Sequence, residues 1–343
     1  MYLVEKELRT QFAAIGQTVD AMMAAQDAVK AQFADVKALC VLGCGSSYSL
    51  AKSAAMLYSQ HTGNPACALP AGDVLVNFDA YKNMLAGHAV LVLSRSGSTS
   101  EAVRAVALCK EALGCKVFSI CMKEHSALEQ ASDWSICLPW AFDEAVCQTR
   151  TVTNLYVACL ALACILAGDK AQLSRLAELA PLGETFQKEQ ESSLSALAGR
   201  SWTKAVVLAD NAVAGLAEEG ALAFKEICRR DSNHYHVLDV RHGPMVQIGS
   251  DTLVIAMLSS GDMPLQQALV NELAAKTPHL LVLHNGGFSG TDGMTCMQLP
   301  DLGSDESSAV FGIYCIQLLC FLHALVRGVD PDQPEGLDAW IKL

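Results

Sequence analysis

The stretch LGCGSSYSLAKSAA, residues 42–55, decides how the chain folds. Its glycines and serines lie between the apolar run ALCVL and a helical pattern over Ser47–Gln60. The stretch HAVLVLSRSGSTSEAVRAVALCKEALG repeats this plan, with an apolar strand at Ala89–Leu93, a Ser/Gly loop and a helix at Ser100–Leu113. Strands that alternate with helices of this length predict a parallel sheet covered on both faces.

The same plan returns in the second half of the chain. With an offset of 166 residues, Val41 meets Val207 and Leu50 meets Leu216, and Ser260-Gly261 falls near Ser96-Gly97. Either the chain is a duplicated α/β domain, or the match is only the likeness of any two βα units. We predict an α/β fold of two tandem doubly wound parallel-sheet domains after a helical lead-in. The domains are residues 1–190 and residues 191–343 with the C-terminal tail.

Composition excludes several classes of function. A net charge of −12 argues against nucleic acid and anionic membranes as partners. The apolar run Leu155–Gly168 is too short to cross a bilayer, so we expect a buried core helix. The 14 cysteines form no CxxC pair and lie in apolar runs, which predicts buried thiols and neither disulfides nor a metal site. The N-terminus has no apolar signal region, so we expect a cytoplasmic protein.

The two Ser/Gly loops are the candidate ligand site. A dinucleotide fingerprint needs three glycines, but Tyr48 follows Gly43 and Gly45 at the third position, which argues against NAD. The alternative is a single phosphate, held by serine hydroxyls and free N–H groups at a helix N-terminus. Serines and threonines that serve only as helix N-caps remain a simpler explanation. The candidate phosphate-binding residues are Gly45, Ser46, Ser47, Ser94, Ser96, Gly97 and Thr99.

Seven motifs in order resemble the SIS (sugar isomerase) family. The resemblance covers the chain from about residue 25 onward. The order and spacing of the motifs are similar to those of the isomerase half of glutamine–fructose-6-phosphate aminotransferase, and the chain also resembles the fructoselysine-6-phosphate deglycases. The motifs are GCGSSYSLA, SRSGSTSE, VFSICMKEHSALEQASDWSI, EAVCQTRTVTN, EEGALAFKEI, DVRHGPMVQI and GVDPDQPEGL.

The resemblance implies a flavodoxin-like fold of two SIS domains and a sugar phosphate as the small-molecule substrate. It also implies a homodimer in which His242, the ring-opening acid/base, comes from the neighbouring subunit. Glu226 matches the family's base for proton transfer between neighbouring carbons, and no cofactor or metal is needed. Pairing of Glu226 with Arg229 or Arg230 is the structural alternative. The remaining implied substrate-binding residues are Arg95, Val146, Cys147, Gln148 and Glu219.

The sequence also departs from the aminotransferase pattern. The residues before the motifs do not resemble a glutaminase, so we expect a protein without that domain. Ala339 stands at the position of the family's Schiff-base lysine, three residues before Lys342. A substrate that carries its own amine needs no enzyme lysine to form an imine. We therefore expect an enzyme that isomerises an amine-linked hexose 6-phosphate and releases the amine, a ketosamine-6-phosphate deglycase. A glucosamine-6-phosphate deaminase of the SIS type and a non-catalytic sugar-phosphate-binding protein are the alternatives.

Overall fold

The computed structural model describes residues 1–290, 293–339, 341 and 343. The chain divides into two compact units. We call Thr10–Ala180 with Gly336–Leu343 the first unit, and Met1–Arg9 with Pro181–Glu335 the second unit. The predicted boundary after residue 190 falls inside the helix Leu179–Ala198 and remains a prediction.

Each unit is built on one parallel five-stranded sheet. In spatial order β2-β1-β3-β4-β5, the first sheet contains β1 (Leu39–Gly43), β2 (Ala66–Pro70), β3 (Ala89–Ser94), β4 (Val117–Cys121) and β5 (Trp134–Cys137). In spatial order β10-β9-β8-β6-β7, the second sheet contains β6 (Lys204–Leu208), β7 (Asp231–Tyr235), β8 (Thr252–Met257), β9 (Leu280–His284) and β10 (Thr295–Gln298).

Helices connect the strands and precede the first sheet. The helices of the described residues are α1 (Leu3–Ala24), α2 (Gln26–Phe33), α3 (Ser46–Thr62), α4 (Ala71–Val76), α5 (Phe78–Leu85), α6 (Ser100–Leu113), α7 (Ala127–Ala131), α8 (Arg150–Ala167), α9 (Lys170–Leu176), α10 (Leu179–Ala198), α11 (Ala214–Glu226), α12 (Met263–Ala274) and α13 (Asp305–Arg327). Short 3₁₀ helices lie at Pro139–Ala141, Asn211–Val213, Asp239–Arg241 and Pro244–Gln247. The predicted helical lead-in is thus confirmed as α1 and α2.

The two sheets share one strand order, and in each the first strand pairs with the third. Leu39 of β1 pairs with Ala89 of β3, and Ala205 of β6 pairs with Leu253 of β8. If Leu39 corresponds to Ala205, then Ala89 corresponds to Leu253. The order, with the first strand of each sheet inside and the second at an edge, is the flavodoxin-like one. Ligands of such sheets bind at the carboxyl ends of the strands.

The sequence prediction found the central strands and missed three edge strands, β2, β7 and β10. The central strands β1, β3, β4, β8 and β9 are buried at every position, so their apolar runs are unbroken. In β7 the sequence DSNHY is polar and mostly exposed. An edge strand is covered on fewer sides, and its sequence therefore lacks the apolar run that marks a central strand.

The long apolar helices are core helices of their units. Helices α8 and α13 have the length and hydropathy to cross a bilayer, but 83% of the qualifying window in each is buried inside the protein. This agrees with the buried helix predicted at Leu155–Gly168. The 14 cysteines are free thiols, of which only Cys296 is exposed.

Candidate functional site

The first loop runs from the end of β1 into α3. Gly45 is the helix N-cap, with φ +54°, and Ser46 and Ser47 are the first two helical residues, both 5% exposed. A Cβ on Gly43 would lie 2.3 Å from the carbonyl oxygen of Ser47, so the backbone passes too closely here for any side chain. The two serines therefore lie in the first turn of α3, where the N–H groups of Ser47 and Tyr48 donate to the carbonyl oxygens of Cys44 and Gly45 at 3.1 and 2.8 Å. They are not its N-cap.

Tyr48 and Cys44 show what this loop does not do. The ring of Tyr48 lies under the ammonium group of Lys52, 4.6 Å from Nζ, where a dinucleotide site would need a glycine for close packing. Burial raises the pKa of the Cys44 thiol to about 11, so this cysteine is not a thiolate nucleophile at neutral pH.

The second loop follows β3, the neighbour of β1 in the sheet. Ser94 Oγ accepts the N–H of Gly97 at 3.0 Å, and Ser96 Oγ accepts the N–H of Ser98 at 3.1 Å. A serine hydroxyl that accepts one bond still has its own hydrogen to donate. Thr99 is the N-cap of α6, with no side-chain cap bond. The second loop therefore presents hydroxyl donors at the same sheet edge as the first.

Gly97 holds the second loop in a form that other residues cannot adopt. Its φ is +59°, and a Cβ added there would lie 2.2 Å from Oγ of Ser126, the N-cap of α7. Its carbonyl oxygen accepts the N–H of Leu128 at 2.8 Å. The loop is therefore packed directly against the start of α7.

Arg95 points its guanidinium at the backbone of two other segments. It is 3% exposed and donates to the carbonyl oxygens of Ala145 and Ala339, each at 2.6 Å. Two of its five N–H donors are thus used to tie the second loop to the segment before Val146 and to the C-terminal tail. The predicted role of Arg95 in binding phosphate remains a prediction. Lys342 lies outside the described residues.

The segment 145–148, which the family resemblance places beside the sugar, is held by a carboxylate that sequence reasoning missed. Asp143 is fully buried, and its Oδ2 accepts the N–H groups of Thr149 and Thr151, each at 2.8 Å. Oδ1 lies 3.4 Å from Nε of Arg150. Burial raises the pKa of Asp143, against the lowering effect of these N–H groups and of Arg150. Asp143 thus fixes the loop that enters α8.

The three predicted residues of this segment differ in burial. Cys147 is fully buried, whereas Val146 and Gln148 are half-buried. Among the residues that the structure describes, no hydrogen-bond partner reaches the buried side-chain oxygen of Gln148. An amide oxygen in that position is available to a ligand hydroxyl.

The predicted carboxylates lie in the second unit, on α11. Glu219 is 1% exposed in the middle of the helix, and Glu226 is its half-buried last residue. Arg230, offered above as a structural partner for Glu226, donates from Nε to His323 Nε2 at 3.0 Å. The spacing of seven residues places both carboxylates near one line along the helix.

His242 is exposed and lies in the turn after the 3₁₀ helix Asp239–Arg241. Gly243 follows with φ +118°. The neighbouring His236 has an acidic partner, Oδ1 of Asp210, 3.1 Å from its Nδ1. The two serine loops therefore lie in the first unit, and Glu226 and His242 lie in the second. The catalytic and binding roles of all these residues remain predictions.

Comparison with protein families supports the sequence resemblance. The SIS domain model matches residues 32–165, which include both serine loops and the segment 145–148. The matched segment is less than half of the chain. It contains the whole first sheet, from β1 to β5, and most of α8.

Relatives extend the similarity beyond the SIS domain. The chain is 25% identical over 360 aligned positions to the glutamine–fructose-6-phosphate aminotransferase (isomerizing) of Vibrio parahaemolyticus, covering 98% of this chain and 58% of that protein. The chain thus spans less than two thirds of that relative. The C-terminal domain of glucosamine-fructose-6-phosphate aminotransferase from Francisella tularensis superposes with a TM-score of 0.86 at 21% identity, covering 97% and 98% of the two chains.

A second solved structure has nearly the same length as this chain. The glucosamine-6-phosphate deaminase of Thermotoga maritima superposes with a TM-score of 0.76 at 24% identity, covering 95% of this chain and 99% of that chain. At these identities the likeness establishes the fold, which is α/β with two parallel five-stranded sheets and a helical N-terminus.

Proposed function

We propose that the protein is a sugar-phosphate isomerase-type enzyme that removes an amine from a ketosamine 6-phosphate. The observation that carries the proposal is the pair of serine loops at one edge of the first sheet. Ser94 and Ser96 already accept loop N–H groups, so their hydroxyl hydrogens are free to donate to phosphate oxygens. Buried serines and helix N–H groups recognise a phosphate without lysines, which suits a chain of net charge −12.

The chemistry needs a base that transfers one proton between adjacent carbons, and an acid/base that opens the sugar ring. In the proposed reaction, His242 of a neighbouring subunit opens the ring, and Glu226 removes a proton from C1 of the ketosamine. Protonation of C2 then gives the aldose imine. Water adds to the C=N bond, and the C–N bond breaks to release the free amine and glucose 6-phosphate.

One feature of the sequence supports amine release over amine transfer. Ala339 stands where the aminotransferase pattern has its Schiff-base lysine, and the substrate's own nitrogen makes such a lysine unnecessary. The carbonyl oxygen of Ala339 accepts a bond from Arg95, so this position contributes backbone to the loop of the first unit. No organic cofactor or metal enters the proposed reaction.

The second candidate is a glucosamine-6-phosphate deaminase. The Thermotoga maritima deaminase supports it, because that solved structure superposes on 95% of this chain with a TM-score of 0.76. A deaminase would use the same base and the same phosphate loops, and it would release ammonia and fructose 6-phosphate.

The test is a coupled assay for glucose 6-phosphate on a panel of 6-phosphofructosyl amino acids, with glucosamine 6-phosphate and fructose 6-phosphate in parallel. Glucose 6-phosphate from one conjugate supports the deglycase. Ammonia and fructose 6-phosphate from glucosamine 6-phosphate identify a deaminase. Tight binding without turnover of any compound overturns both and leaves a sugar-phosphate-binding protein.

Two variants of α11 separate the proposed base from its helix. Glu226→Gln is expected to abolish turnover while ligand affinity changes little, because the amide keeps the size and cannot take the proton. Glu218→Gln, a half-buried glutamate of the same helix 3.7 Å from His234, is the matched control and retains activity. Loss of affinity together with turnover in Glu226→Gln would mean that Glu226 has a structural role.

A further inference from the structure

The second sheet has a loop equivalent to the second serine loop of the first sheet. With Leu39 set against Ala205, the strand pairings make Ala89 correspond to Leu253. This offset of 164 residues makes Ser96-Gly97 correspond to Ser260-Gly261. Each Ser-Gly pair follows the third strand of its sheet, at the carboxyl edge where such folds bind ligands. The second sheet could therefore hold an anion at its own edge.

A carboxylate of the chain itself already occupies the donors of this second loop. Asp305 is the first residue of α13, and its two carboxylate oxygens lie 3.0 and 2.9 Å from the backbone N of Ser260. The Ser260 hydroxyl donates to Oδ2 at 2.9 Å, and Nδ2 of Asn285 donates to Oδ1 at 2.9 Å. A backbone N–H, a hydroxyl and an amide converging on one carboxylate are the donor types that recognise an oxyanion.

The surroundings of Asp305 disfavour an external phosphate. The pocket at this edge is lined by three carboxylates, those of Asp210, Asp305 and Glu306, and no lysine or arginine is among its described lining residues. A phosphate dianion would meet like charges there. The two units also differ in the connection that leads into their long helix. In the first unit, ten residues (140–149), which include Val146–Gln148, lie between Pro139 and α8. In the second unit, only four residues (301–304) lie between Pro300 and α13.

We propose that Asp305 is a built-in occupant of the anion position of the second sheet. Among the residues that the structure describes, it leaves the first sheet as the proposed phosphate site. Asp305 is thus a specificity-determining residue that acts by occupying hydrogen-bond donors. The proposal rests on the proposed function only for its comparison with the first loop. The contacts of Asp305 stand on their own geometry.

The test is anion rescue of thermal stability. Asp305→Ala removes the carboxylate and leaves the donors unpaired, so the melting temperature of the variant falls. Formate should raise this melting temperature more than chloride of equal ionic strength does. The rise in melting temperature that formate causes beyond that of chloride should be roughly twofold or more larger in Asp305→Ala than in the wild type. The reason is that a ligand that binds only the folded state stabilises it. Formate should act better than phosphate, which carries more charge into an acidic pocket.

Two control variants make the result specific. In Asp305→Asn the amide fills the space of the carboxylate, so formate should give no extra stabilisation. In Asp301→Ala a carboxylate that only accepts the N–H of Gly303 at 2.8 Å is lost, and formate should again act as on the wild type. An equal formate response in Asp305→Ala and Asp301→Ala would overturn the proposal.

Failure of Asp305→Ala to fold is also decisive. Recovery of folded protein when formate is present supports the anion position. Failure in both chloride and formate overturns it, because Asp305 would then do more than occupy the donors. Phosphate binding by the wild type and its loss in Ser96→Ala test the proposed function separately.

Discussion

Replacing Gly97 by alanine would test how rigidly the second serine loop is packed. The new Cβ would lie 2.2 Å from Oγ and 2.5 Å from Cβ of Ser126, and the backbone has φ +59°. The left-handed conformation costs a non-glycine residue about 1–2 kcal/mol. Overpacking against a buried neighbour costs about 1–3 kcal/mol more. We therefore expect Gly97→Ala to lower the free energy of unfolding by about 2–5 kcal/mol.

The chain offers a matched control and a partial suppressor for this substitution. Gly114 caps α6 with φ +62° and has no atom within 4 Å of the place that an alanine methyl group would take, so Gly114→Ala should cost only the conformational part, about 1–2 kcal/mol. Ser126→Gly removes both clashing atoms, and glycine replaces an N-cap serine for only a few tenths of a kcal/mol. The double variant should therefore recover about 1–3 kcal/mol over Gly97→Ala.

Urea denaturation followed by circular dichroism gives the free energy of unfolding of the wild type, Gly97→Ala, Gly114→Ala and the double variant Gly97→Ala/Ser126→Gly under one condition. Equal midpoints for Gly97→Ala and Gly114→Ala would refute the reasoning, because the contact with Ser126 would then be relieved by movement of the loop. Failure of Ser126→Gly to suppress the defect would refute the assignment of the clash.

Three further outcomes follow from contacts in the two units. Ser96→Ala should weaken binding of every phosphorylated ligand by about 1–3 kcal/mol, whereas Ser260→Ala, its counterpart in the second sheet, should leave affinity unchanged in calorimetric titrations. Asp143→Ala should cost about 3–5 kcal/mol in urea denaturation, since it leaves two buried N–H groups and Arg150 without their carboxylate, and a loss below 1 kcal/mol would contradict that role. Burial lowers the pKa of His323, so its contribution to stability is present above the ordinary histidine pKa and is lost as the pH falls below about 6.5. Melting temperatures from pH 7.5 to 5.5 should fall less steeply in His323→Gln, and an unchanged slope would exclude His323 as a source of the pH dependence.

The sequence was sufficient for those parts of the fold in which burial leaves a pattern. Strands such as β3 and β8 are buried on both faces and therefore appear as unbroken apolar runs. The edge strand β7 has a polar sequence, and only its pairing with β6 reveals it. Short polar strands are formed by their neighbours, and a single sequence does not contain that information.

The candidate site shows the same division. Both serine loops were predicted, because each is local and lies between a strand and a helix. Asp143 was missed, because a lone aspartate in a polar loop has no periodicity, and its importance comes from burial and from N–H groups that follow it in the chain. Glu226 and His242 were predicted as catalytic residues only because of the family resemblance, since neither residue stands out by spacing or composition.

The short connection between Pro300 and α13 makes the second sheet a convenient place for a reporter. Its counterpart between Pro139 and α8 is six residues longer on the same strand order, so this fold accommodates different lengths at this point. Lengthening a surface loop costs little entropy, about 0.6 kcal/mol for each doubling. A short peptide tag inserted beside the exposed Gly303 could carry a fluorophore near the edge of the second sheet. Its emission would then follow events at that edge while the serine loops of the first sheet stay unlabelled.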